Sequence, residues 1–227
     1  MASVKAVFLG KREIVLGAWE FWFEPESAVS YLPGQYADFL FPFHIDDPHG
    51  VQGRTFTLTS HPASSELRFI TRLEEPLGSY KKALAGLQPG QSMEIAGTGG
   101  NAILPAAHDV PLVFIMQGIG IASLLSILAE CEIANLAHPI TLFWKRRANE
   151  TALLQGVAGQ RYIMAQYDYA PQEILDLSNV SVVLRKKSKV YLSGSPEFVE
   201  TTGKKLLQAG IPRTQLIYDS YSGYITL

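Results

Sequence analysis

The hydrophobic pattern of this chain changes period near residue 105, and that change constrains the fold more than any other feature. Before it, apolar residues recur in short alternating runs at 3–9, 13–23, 35–41, 54–59, 67–73 and 92–96, rich in β-branched and aromatic side chains. Alternation at period two turns one face of each run towards a core and the other outward, as strands require. Turn formers punctuate the runs: Pro33-Gly34, Gly50 to Gly53, Pro62 and Pro89-Gly90. Six short strands with one helical stretch at 79–87 predict a closed antiparallel barrel, which hides the edges such strands would otherwise expose.

After Pro105 the pattern is different. Residues 111–116 form an unbroken apolar run, as in a parallel strand buried on both faces. Ile121, Leu124, Leu125 and Leu128 then fall at helical spacing. Further strands are predicted at 139–144, 162–167, 190–193 and 216–218, and a helix at 196–208 with Pro196 at its first position and Gly210 just past its end. Strands alternating with helices predict a doubly wound α/β parallel sheet. The segment 150–162 is short for a crossover helix, so that layer is expected to be abbreviated. The expected division is a barrel domain at 1–106 followed by an α/β domain at 107–227.

Composition removes several classes of function. With 19 Lys and Arg against 21 Asp and Glu, the net charge is -2. Nucleic-acid binding calls instead for a clustered positive face. The one dense basic cluster, Arg185 to Lys189, is short and reads as an exposed loop or helix end. Cys131 is the only cysteine, which excludes an internal disulfide and a Cys-ligated iron–sulfur cluster. The five histidines show no i, i+4 pairing of the kind that ligates zinc, so no metal site is expected. Residues 110–129 approach the roughly 20 residues of a membrane span. Gln117, Gly118, Gly120, Ser123 and Ser126 interrupt them, and a buried strand followed by a core helix is the better reading. The N-terminus reads as amphipathic and mixed in charge, and a cytoplasmic protein is expected.

Two glycine turns carry the chemistry of the second half. Gln117-Gly118-Ile119-Gly120 joins a strand to a helix, where glycine lets the backbone approach a phosphate and the helix end offers N–H donors. Glycine also serves any tight strand–helix turn, and the full G-x-G-x-x-G fingerprint is absent because Ser123 holds its third glycine position. Gly194-Ser195-Pro196 is a second such turn. Two of them at the carboxyl ends of parallel strands point into one crevice.

Several motifs then follow one another in a fixed order. Pro33-Gly34-Gln35-Tyr36, Arg54-Thr55-Phe56-Thr57-Leu58-Thr59-Ser60, Gly78-Ser79 with Leu84, and Pro89-Gly90 resemble the flavin domain of the ferredoxin–NADP reductase superfamily. Gly97-Thr98-Gly99-Gly100 resembles its interdomain turn. Gly118-Ile119-Gly120-Ile121 resembles its nicotinamide-domain loop, in the form found in ferric reductase and NADPH oxidase relatives. Tyr191 to Pro196 resembles its later Cys-Gly-x-Pro loop, and Asp219 to Tyr224 its acidic–aromatic ending.

The resemblance implies a flavin-dependent oxidoreductase holding FAD, in preference to FMN, and oxidising NADPH or NADH. It places Arg54 on the flavin phosphate, Thr57 near the flavin N5, and the backbone of Gly78 and Ser79 on the pyrophosphate. Tyr36, Thr55, Thr71 and Phe56 complete the flavin site, Phe56 standing where the family has Tyr. Gly118, Gly120, Gly194, Ser195 and Pro196 would hold the nicotinamide nucleotide. Ser193 replaces the Cys near the reacting nicotinamide carbon, and Tyr221 would lie against the flavin face; packing of a chain terminus is the alternative for Tyr221. Thr57, Ser193 and Tyr221 are thus the expected catalytic residues. Arg146 and Arg147 follow the second strand of the α/β domain, where they would favour NADPH, solvated helix-end charges being the alternative. Met116, Gln117, Ala122 and Ser123 depart from the usual loop, and Gln117 is bulky enough to obstruct a phosphate. The implied partner is a one-electron acceptor: an electron-acceptor protein or a ferric complex. Two other readings stay open. One is a flavin-holding electron-transfer subunit fed by a partner protein, and the other a binding module whose nicotinamide site has decayed. No motif sets an oligomeric state.

Overall fold

A computed structural model of the chain describes residues 3–47, 50, 52–173 and 188–220. The first half forms β1 (Val4–Val15), β2 (Ala18–Pro25), β3 (Tyr36–Leu40), β4 (Gly53–Thr57), β5 (Leu67–Arg72), α1 (Ser79–Gly86) and β6 (Ser92–Gly99). The six strands make one antiparallel sheet in the order β4-β3-β6-β1-β2-β5. Its two edges meet just beyond β4 and β5, where Leu58 bridges Phe69 and the Thr59 N–H donates to the Arg68 carbonyl at 2.7 Å. The inward positions carry a cluster of aromatic rings, Phe8, Phe21, Phe23, Phe39, Phe56 and Phe69, each worth about 1.5–3 kcal/mol on burial.

The alternating run at 13–23 divides between two strands. Val15 pairs with Ala18 across a tight turn, and Leu16 at its tip is 78% exposed. Apolar alternation continues through so short a turn, so the pattern alone does not mark it.

The second half supplies β7 (Leu112–Gln117), α2 (Ala122–Ile133), β8 (Ile140–Lys145), β9 (Ile163–Tyr169), β10 (Lys189–Gly194), α3 (Pro196–Gln208) and β11 (Leu216–Ser220). These strands form an all-parallel sheet in the order β11-β10-β7-β8-β9. The apolar run of β7 serves both faces. Leu112, Phe114 and Met116 pack with α2, whereas Val113 and Ile115 pack with α3 residues Val199 and Leu206. In place of a helix between β8 and β9 stand two short 3₁₀ turns, Ala148–Leu154 and Gln160–Tyr162. Among the described residues no helix is long and apolar enough to cross a membrane, and 110–129 resolves into β7 and α2. Arg185, Lys186 and Lys187 of the basic cluster lie outside the described residues.

One apolar core runs through both halves: Val15, Ala18, Ile70 and Ala102 of the barrel side join Phe114, Met116 and α2. The Gly34 N–H also donates to the Ser126 hydroxyl of α2 at 2.8 Å. This seam brings the edge strands β4 and β5 opposite the carboxyl ends of β7, β8 and β10.

Candidate active site

Strand order reverses between β7 and β10, and in open α/β sheets that switch point is where a crevice forms. Here the crevice opens into a cleft of about 640 Å³ between the two sheets. That lies within the roughly 300–1,000 Å³ of small-molecule and cofactor sites.

On the barrel wall stand Arg54, Thr55, Phe56 and Thr57 of β4, Thr71 of β5, and Gly78 at the start of α1. Arg54 is 9% exposed, its guanidinium 5.3 Å from the centre of the Tyr80 ring in the first turn of α1. Gly78 is the N-cap of α1 and makes no side-chain cap, and the space its side chain would occupy is open. The N–H groups of the first turn are therefore left for an anion, beside a buried cation. Thr55 donates to Asp38 at 2.7 Å, and Thr57 is buried at the wall. The Phe56 ring lies flat on Phe69 at 4.1 Å, 8% exposed, so most of its surface belongs to the barrel core.

On the α/β wall stand Gln117, Gly118, Gly120, Gly194 and Ser195. Gly118 has φ +53, and its carbonyl accepts from the Trp144 indole at 2.9 Å. A Cβ at Gly120 would stand 2.7 Å from the Ser193 carbonyl, so this turn tolerates glycine alone where β10 passes beneath it. Ser195 caps α3, accepting from the Phe198 N–H at 3.3 Å.

Among the described residues six cations face this cleft, Arg54, Arg72, Lys81, Lys145, Arg146 and Arg147, against one carboxylate, Glu150. In a chain of net charge -2, that concentration focuses a positive field on one crevice. Burial, with Arg54 and Arg72 close by, lowers the Lys81 pKa. Arg146 pairs with Asp168 at 2.7 Å and lies 5.4 Å from the centre of the Trp144 ring.

An ionic network closes the cleft from below and ties the two halves together. Arg72 of β5 donates to Glu150, which is fully buried, and to Glu74 at 3.1 Å. Glu150 also accepts the Arg147 N–H at 2.7 Å, and the Arg147 guanidinium holds Glu74. That hydrogen bond from Arg147 is the main reason the Glu74 carboxyl sits below its usual value of 4.5. A depressed carboxyl stabilises the fold above its unfolded pKa and loses that contribution as pH falls through the folded value. Glu74→Gln is therefore expected to cost under about 1 kcal/mol at pH 7, since the pair is well exposed. The cost should shrink as pH falls below the unfolded carboxyl's value and through the lower folded one, a trend readable in urea unfolding across the acid range.

Other expected site residues lie elsewhere. Ser193 is fully buried behind the glycine turns and its hydroxyl hydrogen-bonds Asp219 at 3.0 Å. Tyr36 packs its ring over Gly99 and Gly100, and neither it, Ser79 nor Pro196 lines the cleft. Tyr221 lies outside the described residues. Conversely, Arg72, Lys81, Lys145, Glu150 and Ile119 line the cleft without having been singled out as site residues. Arg72 directly follows Thr71, but no local motif marks it. Cys131 is buried in α2, and burial pushes its thiol up to about 11, away from thiolate chemistry.

No family model matches the chain. It is 27% identical over 219 residues to a propane 2-monooxygenase reductase component from a Gordonia species, a match covering 88% of this chain and 61% of that protein. The flavohaem-like FAD/NAD binding domain of nitric oxide dioxygenase from Vibrio cholerae superposes with a TM-score of 0.78 at 18% identity, covering 97% of this chain and 99% of that one. A ferredoxin NADP+ reductase from Neisseria gonorrhoeae, solved with FAD and NADP bound, gives 0.77 at 18% identity, covering 95% and 97%. The chain thus spans about three fifths of the reductase component it matches in sequence.

Proposed function

We propose that the chain is a member of the ferredoxin–NADP reductase superfamily, a FAD-dependent NAD(P)H reductase feeding a one-electron acceptor. The observation that carries this reading is the pairing of two anion-binding walls across one cleft, the α1 end with Arg54 on one side and two glycine turns on the other. When bound, the flavin accepts two electrons together as hydride and releases them singly.

The residues present fit such a group. Arg54 and the open first turn of α1 would hold the flavin pyrophosphate through charge-assisted and backbone hydrogen bonds. Thr57 and Thr71 would border the ring system, with Thr55 and Phe56 on the same wall and Tyr36 supporting it through its pairing with Thr57. Gly118, Gly120, Gly194 and Ser195 would take the nicotinamide nucleotide, with Pro196 starting the helix behind them. Lys145, Arg146 and Arg147 would meet the adenosine end, which favours NADPH over NADH. Ser193, bonded to Asp219, would support the β10 turn from beneath. Tyr221 would lie against the flavin. A division at residue 106 separates the two walls' parent domains. The acceptor is a haem, iron–sulfur or oxygenase protein, or a ferric complex.

A second reading is a flavin-holding subunit that receives electrons from a partner. It is favoured by Gln117, whose side chain spans the two glycine turns. One experiment separates the two. The purified protein is expected to be yellow and to bleach when NADPH is added without oxygen, with NADH slower. A yellow protein unmoved by either nucleotide supports the second reading, and a protein that takes up no flavin sinks both.

A further inference from the structure

Gln117 occupies the position between the two glycine turns, at the carboxyl end of β7. Its side chain reaches across to α3, where Oε1 lies 2.8 Å from the Ser195 hydroxyl and 3.3 Å from the Ser195 N–H. The orientation of the amide is fixed by its partners. A backbone N–H can only donate, so the atom facing Ser195 is the oxygen. The Ser195 hydroxyl accepts from the Phe198 N–H, which leaves its own proton for Gln117. The neighbouring chain is built around this side chain. A Cβ at Gly194 would stand 2.8 Å from the Gln117 Cβ, so glycine at 194 is what gives Gln117 its room.

With the carbonyl committed to Ser195, the –NH₂ group is the polar end of Gln117 that remains for the cleft. Gln117 is followed by Gly118, over which the Arg72–Glu150 pair projects: a Cβ there would be 3.5 Å from the Arg72 Nη2 and 3.7 Å from the Glu150 Oε1. That pair is balanced, but the described lining of the cleft as a whole carries six cations to one carboxylate, and the ligand it favours is an anion. We infer that Gln117 is a positioning residue for the nicotinamide nucleotide, donating from Nε2 to its pyrophosphate while its Oε1 stays on the α3 cap. The bridge from β7 to α3 thus holds a donor in place across the crevice. The inference rests on the reductase reading and assigns a role to a residue that bulk alone would mark as an obstruction.

The test is a binding titration followed by intrinsic tryptophan fluorescence, with NADP+, NAD+ and ADP as probes, alongside KM and kcat for flavin reduction. Loss of the donor in Gln117→Ala is expected to weaken NADP+ by about tenfold. Gln117→Glu keeps the length and the bond to Ser195 but turns a carboxylate on the phosphate, for an expected loss of about a hundredfold. KM should follow Kd, with kcat changed much less. ADP, which has the pyrophosphate and no nicotinamide, should weaken in parallel. Gln117→Gly discriminates most sharply: tighter nucleotide binding or faster reduction in that variant overturns the inference, because a mere obstruction would then have been removed. Unchanged affinity in the Ala and Glu variants, with melting temperature and flavin content as in the wild type, overturns it as well. An effect confined to the full dinucleotide overturns the pyrophosphate assignment. Wild-type protein that binds no nucleotide overturns the reductase reading along with this one, whereas wild-type binding with indifferent variants overturns this one alone.

Discussion

Arg54→Ala is expected to lower the flavin content of the purified protein sharply, with flavin affinity reduced roughly 10- to 150-fold. Hydrogen bonds to a charged partner contribute about 1.5–3 kcal/mol, and each 1.4 kcal/mol is a tenfold change in Kd. Arg54 is placed to deliver the whole of that. It is buried, so little water screens it, and it lies over Tyr80 at the open end of α1, where the helix dipole already favours an anion. Its charge also acts on Lys81, which burial already lowers, so truncation should raise the Lys81 pKa part of the way towards its ordinary value. Arg54→Lys keeps the charge and gives up the two-pronged geometry, and an intermediate loss is expected. Flavin content after gel filtration and a fluorescence titration of the stripped protein measure it. Wild-type flavin content in Arg54→Ala, with an unchanged melting curve, would move the flavin phosphate away from this wall.

The division of labour in this cleft was only partly legible beforehand. Hydrophobic period is a local signal, and it reported the change from barrel to parallel sheet because each strand and helix carries its own face. Phe114 and Val113 alternate between two cores, and their unbroken apolar run announced a strand buried on both sides. The glycine turns were also local, since each must fit within a few residues. What pattern reading did not reach depends on how the halves dock. Arg72 and Glu150 are 78 positions apart, and Glu74 and Arg147 are 73 apart. Of the four only Arg147 was marked in the sequence, as a nucleotide contact, and their pairing exists only once β5 faces the end of β8. Gln117 shows the opposite failure. It was conspicuous in the sequence, but its bulk pointed to obstruction, and the hydrogen bonds that orient it come from a helix 78 residues further on. Phe56 stood in a flavin motif, but its ring had a second claim on it from Phe69, and the barrel core took it.

The same docking makes Glu150 the residue whose loss should cost the fold most. Its carboxylate is fully buried and is shared between the Arg72 guanidinium of the barrel and the Arg147 N–H that opens the first 3₁₀ turn. Removing one partner of a buried pair costs about 3–5 kcal/mol, because the other is left without compensation. Arg72 retains Glu74 and is a fifth exposed, which puts Glu150→Ala at the lower end, about 3 kcal/mol. For a chain of this length that corresponds to roughly 6–12 °C in Tm. Glu150→Gln still accepts the Arg147 N–H and loses only the charge, so it should fall about halfway. The coupling is decisive. If the pair acts as a latch, adding Arg72→Met to Glu150→Ala costs much less than Arg72→Met costs alone, since the charge it would strand has already gone. Thermal unfolding of the two single variants and the double variant completes the cycle. Additive losses, or a Glu150→Ala protein melting within about 2 °C of the wild type, would assign the stability of the seam to its apolar core and leave the ion pair as a contact of the cleft alone.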